Sequence, residues 1–495
     1  MEIAYYDLSG GINQASTKTE LGLNTKRVYW ADSENIEILE NKGICKQKGN
    51  TLCATIPDEE SITGMHEAEG KLIVTTESGK IYLFSDLLTE PLLIDKTLSG
   101  ASPLFANFLG GTVIATEADT PFYLAPDLSV ENCMSSSIIV DAVAIYRGRV
   151  WFASGSTLYF SALGKYNDFE TEHDAGYISD FHTDTADIIA IKSYKDYLAI
   201  YKKDKVYLLS GTSPDNFAVV PFADKGCIST RSIVNVENRQ YFLNQGIFAL
   251  EQVGELNQIQ LGSEISLKIK PEFNKFTPSQ LKDSFCVHYE SKNQVWYFFP
   301  YSDSKYFQTV WINDYVNKAW YKRIIPQNIT TACIFDYCVL TADDKGNIYK
   351  EDNGNDFNGE PIKFMWKSPF FAIGSAHHRK MIDEFYFILD ESYDNHFDFS
   401  VYKDYDSEHS DDPETIYSIH FEHMIWSDDT TNDNTPCHWA LDEENIPVWS
   451  VNTNTLEKAE ISEANYSIQL CITGRNIDES CAIIGLQFRE IYNDD

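Results

Sequence analysis

The sequence predicts an all-β protein that consists of an irregular β-propeller of six to eight blades and an additional C-terminal β-sandwich-like domain. Two observations favour β structure: helical periodicity is scarce, and short runs of β-branched and aromatic residues alternate with Gly, Asn and Asp turns. A third observation, the recurrence of one hairpin-like unit along most of the chain, favours the propeller. With 495 residues, of which 43% are hydrophobic, the chain can bury a large core.

The recurring unit is a run of apolar residues, a polar turn and a second run that ends in an aromatic residue or Leu. Seven copies align at Leu72, Val113, Val150, Leu198, Tyr241, Trp296 and Val339. The successive steps are 41, 37, 48, 43, 55 and 43 residues, close to the period of about 40–50 residues that four-stranded propeller blades require. A set of unrelated hairpins in β-sandwiches is the alternative. The absence of a Trp-Asp series argues against a standard WD40 chain.

The pattern divides the chain into three parts. Residues 1–50 are predicted to form an N-terminal arm and the first strands, and residues 51–364 the propeller. Near residue 365 the composition changes: two strands joined by a polar turn are followed by very acidic stretches and by alternating strands that start at Tyr466 and Ala482. Residues 365–495 are therefore predicted to form the β-sandwich-like domain, with acidic surface loops.

Charge and composition exclude several classes of protein. The 75 acidic and 39 basic residues give a net charge of −36, which argues against a general nucleic-acid binder because phosphate contacts need clustered Lys and Arg. No apolar run is long enough for a transmembrane helix, and the N-terminus lacks the features of a secretory signal. The ten cysteines are widely spread and form no C-x-x-C pair, so we expect reduced, mostly buried thiols.

Motifs that carry chemistry are scarce. The chain contains no G-x-S-x-G, Walker A, H-E-x-x-H or G-x-G-x-x-G sequence, so neither a catalytic residue nor a cofactor is predicted. The neighbours His377 and His378 are interpreted as turn residues, and Cys437 and His438 lack the second pair of a structural zinc site.

One loop offers oxygen ligands for calcium. The candidates in the stretch EDNGNDFNGE are Asp352, Asn355 and Asp356. The loop misses the ligand spacing of an EF-hand, and the same residues are ordinary turn formers. A turn is therefore the preferred interpretation.

The order of segments resembles that of the tail-nozzle and packaged-DNA-stabilisation proteins of short-tailed bacteriophages (the tail tubular protein B-like family). The start of the chain is similar to the family's Gly-Gly-Ile/Leu-Asn element, its Asn-Ile/Val pair and its Gly-containing basic turn. The residues that match are Gly10, Gly11, Asn13, Asn35, Gly43 and Gly49. Gln47 departs from the pattern, because many relatives would carry a basic residue there.

The middle of the chain resembles the same family. The segment from Asp224 to Glu251 looks like a family element, and an Ile-Ser-x-x-Ile-x-x-x-Phe element and a segment with two Trp residues around a turn follow it. The matching residues are Gly226, Ser229, Arg231, Gly246, Ile265, Ser266, Trp311 and Trp320. We call these eight and the six N-terminal ones the motif residues. Each motif alone is unspecific, and their order over residues 5–350 carries the resemblance.

The resemblance implies a structural protein of the virion tail, assembled in the cytoplasm of the bacterial host. It implies a homo-oligomeric ring, expected to be six-fold, below the portal and adaptor proteins. This ring extends and closes the DNA exit channel, retains packaged DNA and conducts it at ejection. No catalysis, cofactor or membrane anchor is implied. An acidic channel wall would repel phosphate and let the duplex slide, so replacing lumenal acids with Lys should slow ejection.

Two other functions fit the same sequence. A propeller that binds or cleaves glycans would be a monomer with a central pocket, and aromatic segments such as QVWYFFPY would suit a sugar platform. A receptor-binding adhesin at a tail tip would bind host cells directly. Neighbouring portal, adaptor and terminase genes would distinguish a nozzle protein from both.

Overall fold

The structure is a computed structural model that describes residues 2–22, 26–100, 103–135, 137–181, 184–253, 258–301, 304–373, 378–390, 392–418, 454–459, 461 and 464–494. The chain forms two compact units. One is Lys48–Pro361, and the other combines Met1–Gln47 with Ile362–Asp495. The limits of the first unit lie within three residues of the predicted propeller. The N-terminal residues, however, do not form a separate part, because their strands pair with C-terminal strands.

The N-terminal stretch contains short elements. Four strands and one helical turn precede the propeller: β1 (Ile3–Tyr5), α1 (Lys18–Leu21), β2 (Asp32–Glu34), β3 (Ile36–Ile38) and β4 (Ile44–Lys46). A capping box starts the helical turn, in which Thr17 and Glu20 satisfy each other's backbone N–H groups.

Seven β-sheets form the unit Lys48–Pro361. Its first strand, β5 (Asn50–Thr55), belongs to the seventh sheet. Blades 1 to 3 each use four consecutive strands: β6 (Ile62–Ala68), β7 (Lys71–Thr76), β8 (Ile81–Phe84) and β9 (Leu92–Ile94); β10 (Leu104–Phe108), β11 (Gly111–Ala115), β12 (Phe122–Leu124) and β13 (Val130–Asn132); β14 (Ala142–Tyr146), β15 (Arg149–Ser154), β16 (Thr157–Phe160) and β17 (Gly176–Ile178).

Blades 4 to 6 repeat the arrangement. Their strands are β18 (Ile188–Tyr194), β19 (Tyr197–Lys202), β20 (Val206–Ser210) and β21 (Ala218–Ala223); β22 (Val234–Val236), β23 (Arg239–Leu243), β24 (Ile247–Val253) and β25 (Gln258–Leu261); β26 (Phe285–Tyr289), β27 (Gln294–Phe298), β28 (Thr309–Asp314) and β29 (Ala319–Ile324). Short helices occupy the connections: 3₁₀ turns at Pro214–Asn216, Thr230–Ser232, Leu267–Ile269 and Glu290–Lys292, and α2 (Lys270–Phe273) and α3 (Pro278–Lys282).

The seventh blade joins both ends of the unit. Strands β30 (Ile329–Phe335), β31 (Cys338–Asp343) and β32 (Asn347–Glu351) come from its C-terminal end, and β5 pairs antiparallel with β32 as the fourth strand. A small hairpin, β33 (Asp356–Phe357) and β34 (Glu360–Pro361), extends this sheet. The all-β propeller prediction is confirmed, with seven blades. All seven aligned positions of the repeat fall on the second strand of a blade.

Buried apolar side chains fill the spaces between neighbouring blades. One such cluster joins blades 3 and 4 around Trp151 and Tyr207, and another joins blades 7 and 1 around Leu340 and Leu72. Except between blades 4 and 5, the first strands of adjacent blades also contact one another. They line the centre of the ring, which we call the central opening. Each hairpin therefore buries both of its faces only within the ring.

The second unit is a sandwich of two antiparallel sheets. Its C-terminal strands are β35 (Phe364–Lys367), β36 (Arg379–Asp390), β37 (Asn395–Lys403), β38 (Glu414–Ser418), β39 (Asn454–Ala459), β40 (Ile468–Gly474) and β41 (Ala482–Asp494). One sheet has the order β3-β4-β41-β36-β39, with β1 also on β41, and the other has the order β2-β35-β40-β37-β38. The β-sandwich-like domain thus needs both chain ends and is not C-terminal alone.

Aromatic rings form the core between the two sheets of the sandwich. The ring centroids of Phe385 and Phe399 are 5.7 Å apart, and those of Phe387 and Phe397 are 5.4 Å apart. Each pair joins β36 of one sheet to β37 of the other. Such contacts stabilise a sandwich beyond the apolar area that they bury.

All nine cysteines in the described ranges are free thiols; Cys437 lies outside these ranges. The described part of the chain contains no helix that is both long and apolar enough to cross a membrane.

Candidate functional site

The first motif residues hold a backbone crossing in the sandwich unit. A Cβ atom on Gly10 would lie 2.2 Å from the carbonyl oxygen of Val28, so only Gly permits this approach. The Gly10 N–H donates to the same carbonyl at 3.0 Å. Gly11 has a φ of 67°, and the side-chain oxygen of Asn13 accepts hydrogen bonds from the N–H groups of two later residues. These three positions shape a turn.

Asn35 and Gly43 hold a second crossing in the same unit. Asn35 has a φ of 52°, a left-handed conformation that Asn tolerates, and its Nδ2 donates to the Lys363 carbonyl at 2.8 Å. A Cβ on Gly43 would lie 2.5 Å from the Ile483 carbonyl oxygen. Gln47 is the position that departs from the family pattern. Its buried side-chain amide donates to the Ile36 carbonyl at 3.0 Å. Gln47 therefore has a structural role as a hydrogen-bond donor, at the position where many relatives would carry a basic residue.

Gly49 lies where the propeller closes. Its carbonyl accepts from Arg323 Nη2 at 2.9 Å, and the Lys48 carbonyl accepts from Arg323 Nη1 at 2.7 Å. Arg323 also binds Glu351 Oε2 through Nη2 at 2.6 Å and through Nε at 3.1 Å. The other oxygen of Glu351 accepts from Asn50 at 2.9 Å and from Thr341 at 2.7 Å. This buried network ties β5 to blades 6 and 7.

Four motif residues meet between blades 5 and 6. The Trp320 indole donates to the Ile265 carbonyl at 3.0 Å. The hydroxyl of Ser266 accepts from the Ile247 N–H at 2.9 Å and donates to Glu264. A Cβ on Gly246 would meet the Glu264 carboxylate at 2.2 Å. The structure therefore brings together residues 246, 265, 266 and 320, while Trp311 lies apart in β28 and donates to the Tyr301 hydroxyl at 2.9 Å.

Gly226, Ser229 and Arg231 belong to the connection between blades 4 and 5. A Cβ on Gly226 would lie 1.8 Å from the Lys202 carbonyl oxygen. The Ser229 hydroxyl donates to the Ser284 carbonyl, which directly precedes β26. Thr230 donates to the Ile189 carbonyl in β18 at 2.7 Å. The 3₁₀ turn Thr230–Ser232 thus links the first strands of blades 4 and 6 beside the central opening.

A substitution at Gly226 tests the close packing of this connection against Lys202. We expect Gly226→Ala to lower the free energy of unfolding by about 1–3 kcal/mol, because the backbone must move away from Lys202. Gly176→Ala is the matched control, since its Cβ would first meet a side-chain atom of Phe160 at 3.2 Å. Urea unfolding followed by circular dichroism measures both variants, and equal losses would contradict the close-approach argument.

Two cations lie on or beside the first strands of the blades. Arg231 stacks on Phe285 of blade 6, with 4.6 Å between its guanidinium carbon and the ring centroid, and its Nη2 donates to Thr331 of blade 7 at 2.8 Å. Burial lowers its pKa to about 10. Lys192, in β18 of blade 4, also has a pKa that burial lowers. The sequence analysis found Arg231 only as a motif residue and missed Lys192, although a Lys in the apolar strand IIAIKSY was a usable signal.

Cys286 and His66 also lie on first strands, those of blades 6 and 1. Cys286 lies within electrostatic range of both cations, and burial raises the pKa of its thiol to about 12. His66 of blade 1 stacks on Phe105, and its Nε2 lies 2.8 Å from the Asn107 side-chain oxygen. Burial lowers its pKa, and the charge of Lys192 contributes to the shift. We take this central opening as the candidate functional site.

The calcium candidates are engaged in other contacts. Asp352 binds the ammonium of Lys292 at 2.8 Å and accepts from the Tyr289 hydroxyl at 3.2 Å. Asp356 accepts from the Gly359 N–H at 2.7 Å, and Asn355 lies in the turn between them. Across the described ranges, no group of three or more His, Cys, Asp or Glu side chains could hold a metal ion. His377, Cys437 and His438 lie outside those ranges, as does the acidic run 427–435.

An aromatic cleft separates the outer parts of blades 3 and 4. It has a volume of about 330 Å³, and Phe160, Tyr177, Phe217 and Asp180 contribute to its lining. Tyr177 is 65% exposed. The sequence analysis missed this cleft, because its residues come from β16, β17 and the connection to β21.

No family model matches the chain, and neither does any curated protein. Among solved structures, the Neurospora crassa Pan2 WD40 domain is 10% identical, with coverage of 64% of this chain and 98% of that one and a TM-score of 0.42. YCF48 from Cyanidioschyzon merolae is also 10% identical, with coverage of 62% and 98% and a TM-score of 0.40. A chain of the mitotic checkpoint complex is 9% identical, with coverage of 62% and 93% and a TM-score of 0.41. At these identities the similarity concerns the fold alone.

Proposed function

We propose that this protein is a structural subunit of a short-tailed phage virion and has no catalytic activity. In this role it forms a homo-oligomeric ring, six-fold in symmetry, below the portal and adaptor proteins. The ring extends the DNA exit channel, retains the packaged genome and conducts it at ejection. The DNA path lies between subunits of the ring and is distinct from the central opening of each propeller.

The observation that carries the proposal is the placement of the motif residues. They are backbone-approach glycines, such as Gly10, Gly49 and Gly226, and anchors such as Asn35 and Trp320. They stabilise close backbone crossings and connections within each of the two units. Residues that a family shares for packing suit a protein whose task is to keep a fixed shape under load. The charge of −36 adds support, because an acidic channel wall would repel the phosphates of the duplex and let it slide during ejection.

Electron microscopy tests this function directly. The full chain should be imaged alone and after mixing with the portal and adaptor proteins encoded beside it. We expect rings with a central hole that dock coaxially on the portal complex. Monomers that do not bind the portal complex under any mixing condition would contradict the proposal.

The aromatic cleft supports a second candidate, a glycan-binding propeller. Exposed aromatic rings with an adjacent carboxylate, as at Tyr177 and Asp180, suit the stacking and hydrogen bonding of a sugar. A glycan array with wild-type protein and Tyr177→Ala tests this candidate. Glycan binding by the wild type that is lost in Tyr177→Ala would favour this candidate. If the wild type binds no glycan, only the structural role remains.

A further inference from the structure

The aromatic cleft between blades 3 and 4 contains a rigid corner of two rings. The rings of Phe160 and Phe217 meet nearly at a right angle, with 5.3 Å between their centroids and 84° between their planes. The buried Trp151 packs against both rings, with centroid distances of 5.1 Å to Phe160 and 5.2 Å to Phe217. Phe217 is half-buried, so part of its ring stays accessible from the cleft. The corner is therefore formed before any ligand binds.

The blade 3 side of the cleft carries a negative charge. Asp180 follows β17, is exposed and lines the cleft together with Ile178. No described residue that lines the cleft has a basic side chain. The faces of aromatic rings are themselves electronegative, so the rings and the carboxylate attract the same kind of ligand. A cation is therefore complementary in charge to this lining.

Other blades already pair aromatic rings with cations. The ammonium of Lys96 lies 5.2 Å from the ring centroid of Phe122, and that of Lys225 lies 4.3 Å from the ring centroid of Phe248. Within the described ranges, neither Phe160 nor Phe217 has a Lys or Arg over its ring; their ring contacts are aromatic. The cleft thus leaves the position over Phe217 to a cation from outside the chain.

We propose that this cleft binds one small organic cation with a quaternary ammonium group. The methyl groups of the ligand contact Phe160 and Phe217, and its charge lies near Asp180. A quaternary ammonium has no N–H donors, so it loses none of the hydrogen bonds to water that a primary ammonium would lose in a cleft with one carboxylate.

The size of the cleft suits such a ligand. Its volume of about 330 Å³ lies at the lower end of the range for small-molecule sites, as expected for a compact ligand. The inference is independent of the proposed ring function. It differs from the glycan candidate for the same cleft because it requires a positive charge on the ligand.

Calorimetric titration of the full chain with choline, at constant ionic strength, tests the site. We expect saturable one-to-one binding. Dimethylbutanol is the neutral isostere of choline, in which a carbon atom replaces the charged nitrogen, and we expect it to bind at least about tenfold more weakly. No binding of choline, or equal binding of the two ligands, would overturn the proposal.

A first variant tests the carboxylate. Asp180→Asn changes an exposed position, so we expect the protein to fold and its affinity for choline to fall by about fivefold. Asp204→Asn is the matched control, because it removes the same charge from an exposed turn of blade 4. Asp204 lies beyond the opposite end of β20 from Phe217, so this variant should bind like the wild type. Equal affinities in the wild type and Asp180→Asn would contradict the proposal.

A second variant tests the ring. Phe217→Leu keeps an apolar side chain but loses the aromatic face, so we expect choline to bind about fivefold more weakly. Phe222→Leu makes the same change in β21, at a half-buried ring that packs between blades 4 and 5, and should leave binding unchanged. Equal losses in the two variants would attribute the effect to stability and would overturn the assignment of Phe217 to the site.

The source of the ammonium group is distinguished by a further ligand. Glycerophosphocholine that binds as tightly as choline would assign a phosphorylated headgroup, and selective binding of choline would assign the free cation. Either result supports the ammonium site. The glycan array and the electron microscopy of rings are separate measurements, so failure of this proposal is distinguishable from failure of either proposed function.

Discussion

Replacing Arg323 with Met is expected to lower the free energy of unfolding by about 3–5 kcal/mol. The substitution leaves the Glu351 carboxylate buried without its cation and removes the hydrogen bonds to the carbonyls of Lys48 and Gly49. Those bonds fix the start of β5, the strand that completes blade 7. The loss should therefore destabilise the closure of the propeller, and urea unfolding followed by circular dichroism measures it.

Two further variants identify the cause of this loss. In Arg323→Met/Glu351→Leu no charge is stranded, so we expect the double variant to recover much of the stability that Arg323→Met loses. Arg147→Met removes an exposed ion pair with Asp196 and should leave stability nearly unchanged. A loss below about 1 kcal/mol for Arg323→Met would show that the buried network does not hold the closure.

Replacing Trp320 with Ala is expected to cost about 3–5 kcal/mol, because the substitution leaves a large cavity in blade 6. Trp320 is buried in β29, and its ring lies 5.6 Å from that of Tyr297. Its indole also joins this blade to the segment after blade 5 through the Ile265 carbonyl. Urea unfolding gives the change in stability.

Trp320→Phe is the control for the cavity. It retains an aromatic ring but loses the indole N–H, so we expect roughly 1–2 kcal/mol of destabilisation from the unpaired carbonyl and the smaller ring. Equal losses for the Ala and Phe variants would mean that the hydrogen bond, and not the packing, carries the effect. A Trp320→Ala variant as stable as the wild type would contradict the assignment of this residue to the core.

The repeat pattern was sufficient to find every blade. Each of the seven aligned positions, from Leu72 to Val339, lies on a second strand, because that strand is buried on both faces and reads as a continuous apolar run. First and fourth strands carry weaker patterns: β9 and β25 expose most of their side chains. The spacing alone therefore left six to eight blades open, and the sheet pairings decide on seven.

The candidate site was much less predictable. Arg231 stood out only through the resemblance, since its contacts with Phe285 and Thr331 join segments that lie far apart in the chain. Lys192 did not stand out at all. Asp352 had the composition of a calcium ligand, yet its carboxylate faces Lys292, which is 60 residues away in sequence. Local composition shows which candidate ligand atoms are present, whereas the tertiary structure determines which of them come into contact.

Strand identity, turn positions and the all-β class follow from the sequence, because alternation and turn residues act over a few neighbouring positions. The pairing between strands from the two ends of the chain does not follow from the sequence. Strand β5 completes a blade made of residues 329–351, and β1 pairs with β41 at the opposite end of the chain. These strands pair with the sheet edges that remain unpaired once local hairpins have formed. Which edges remain depends on the whole structure and not on local sequence.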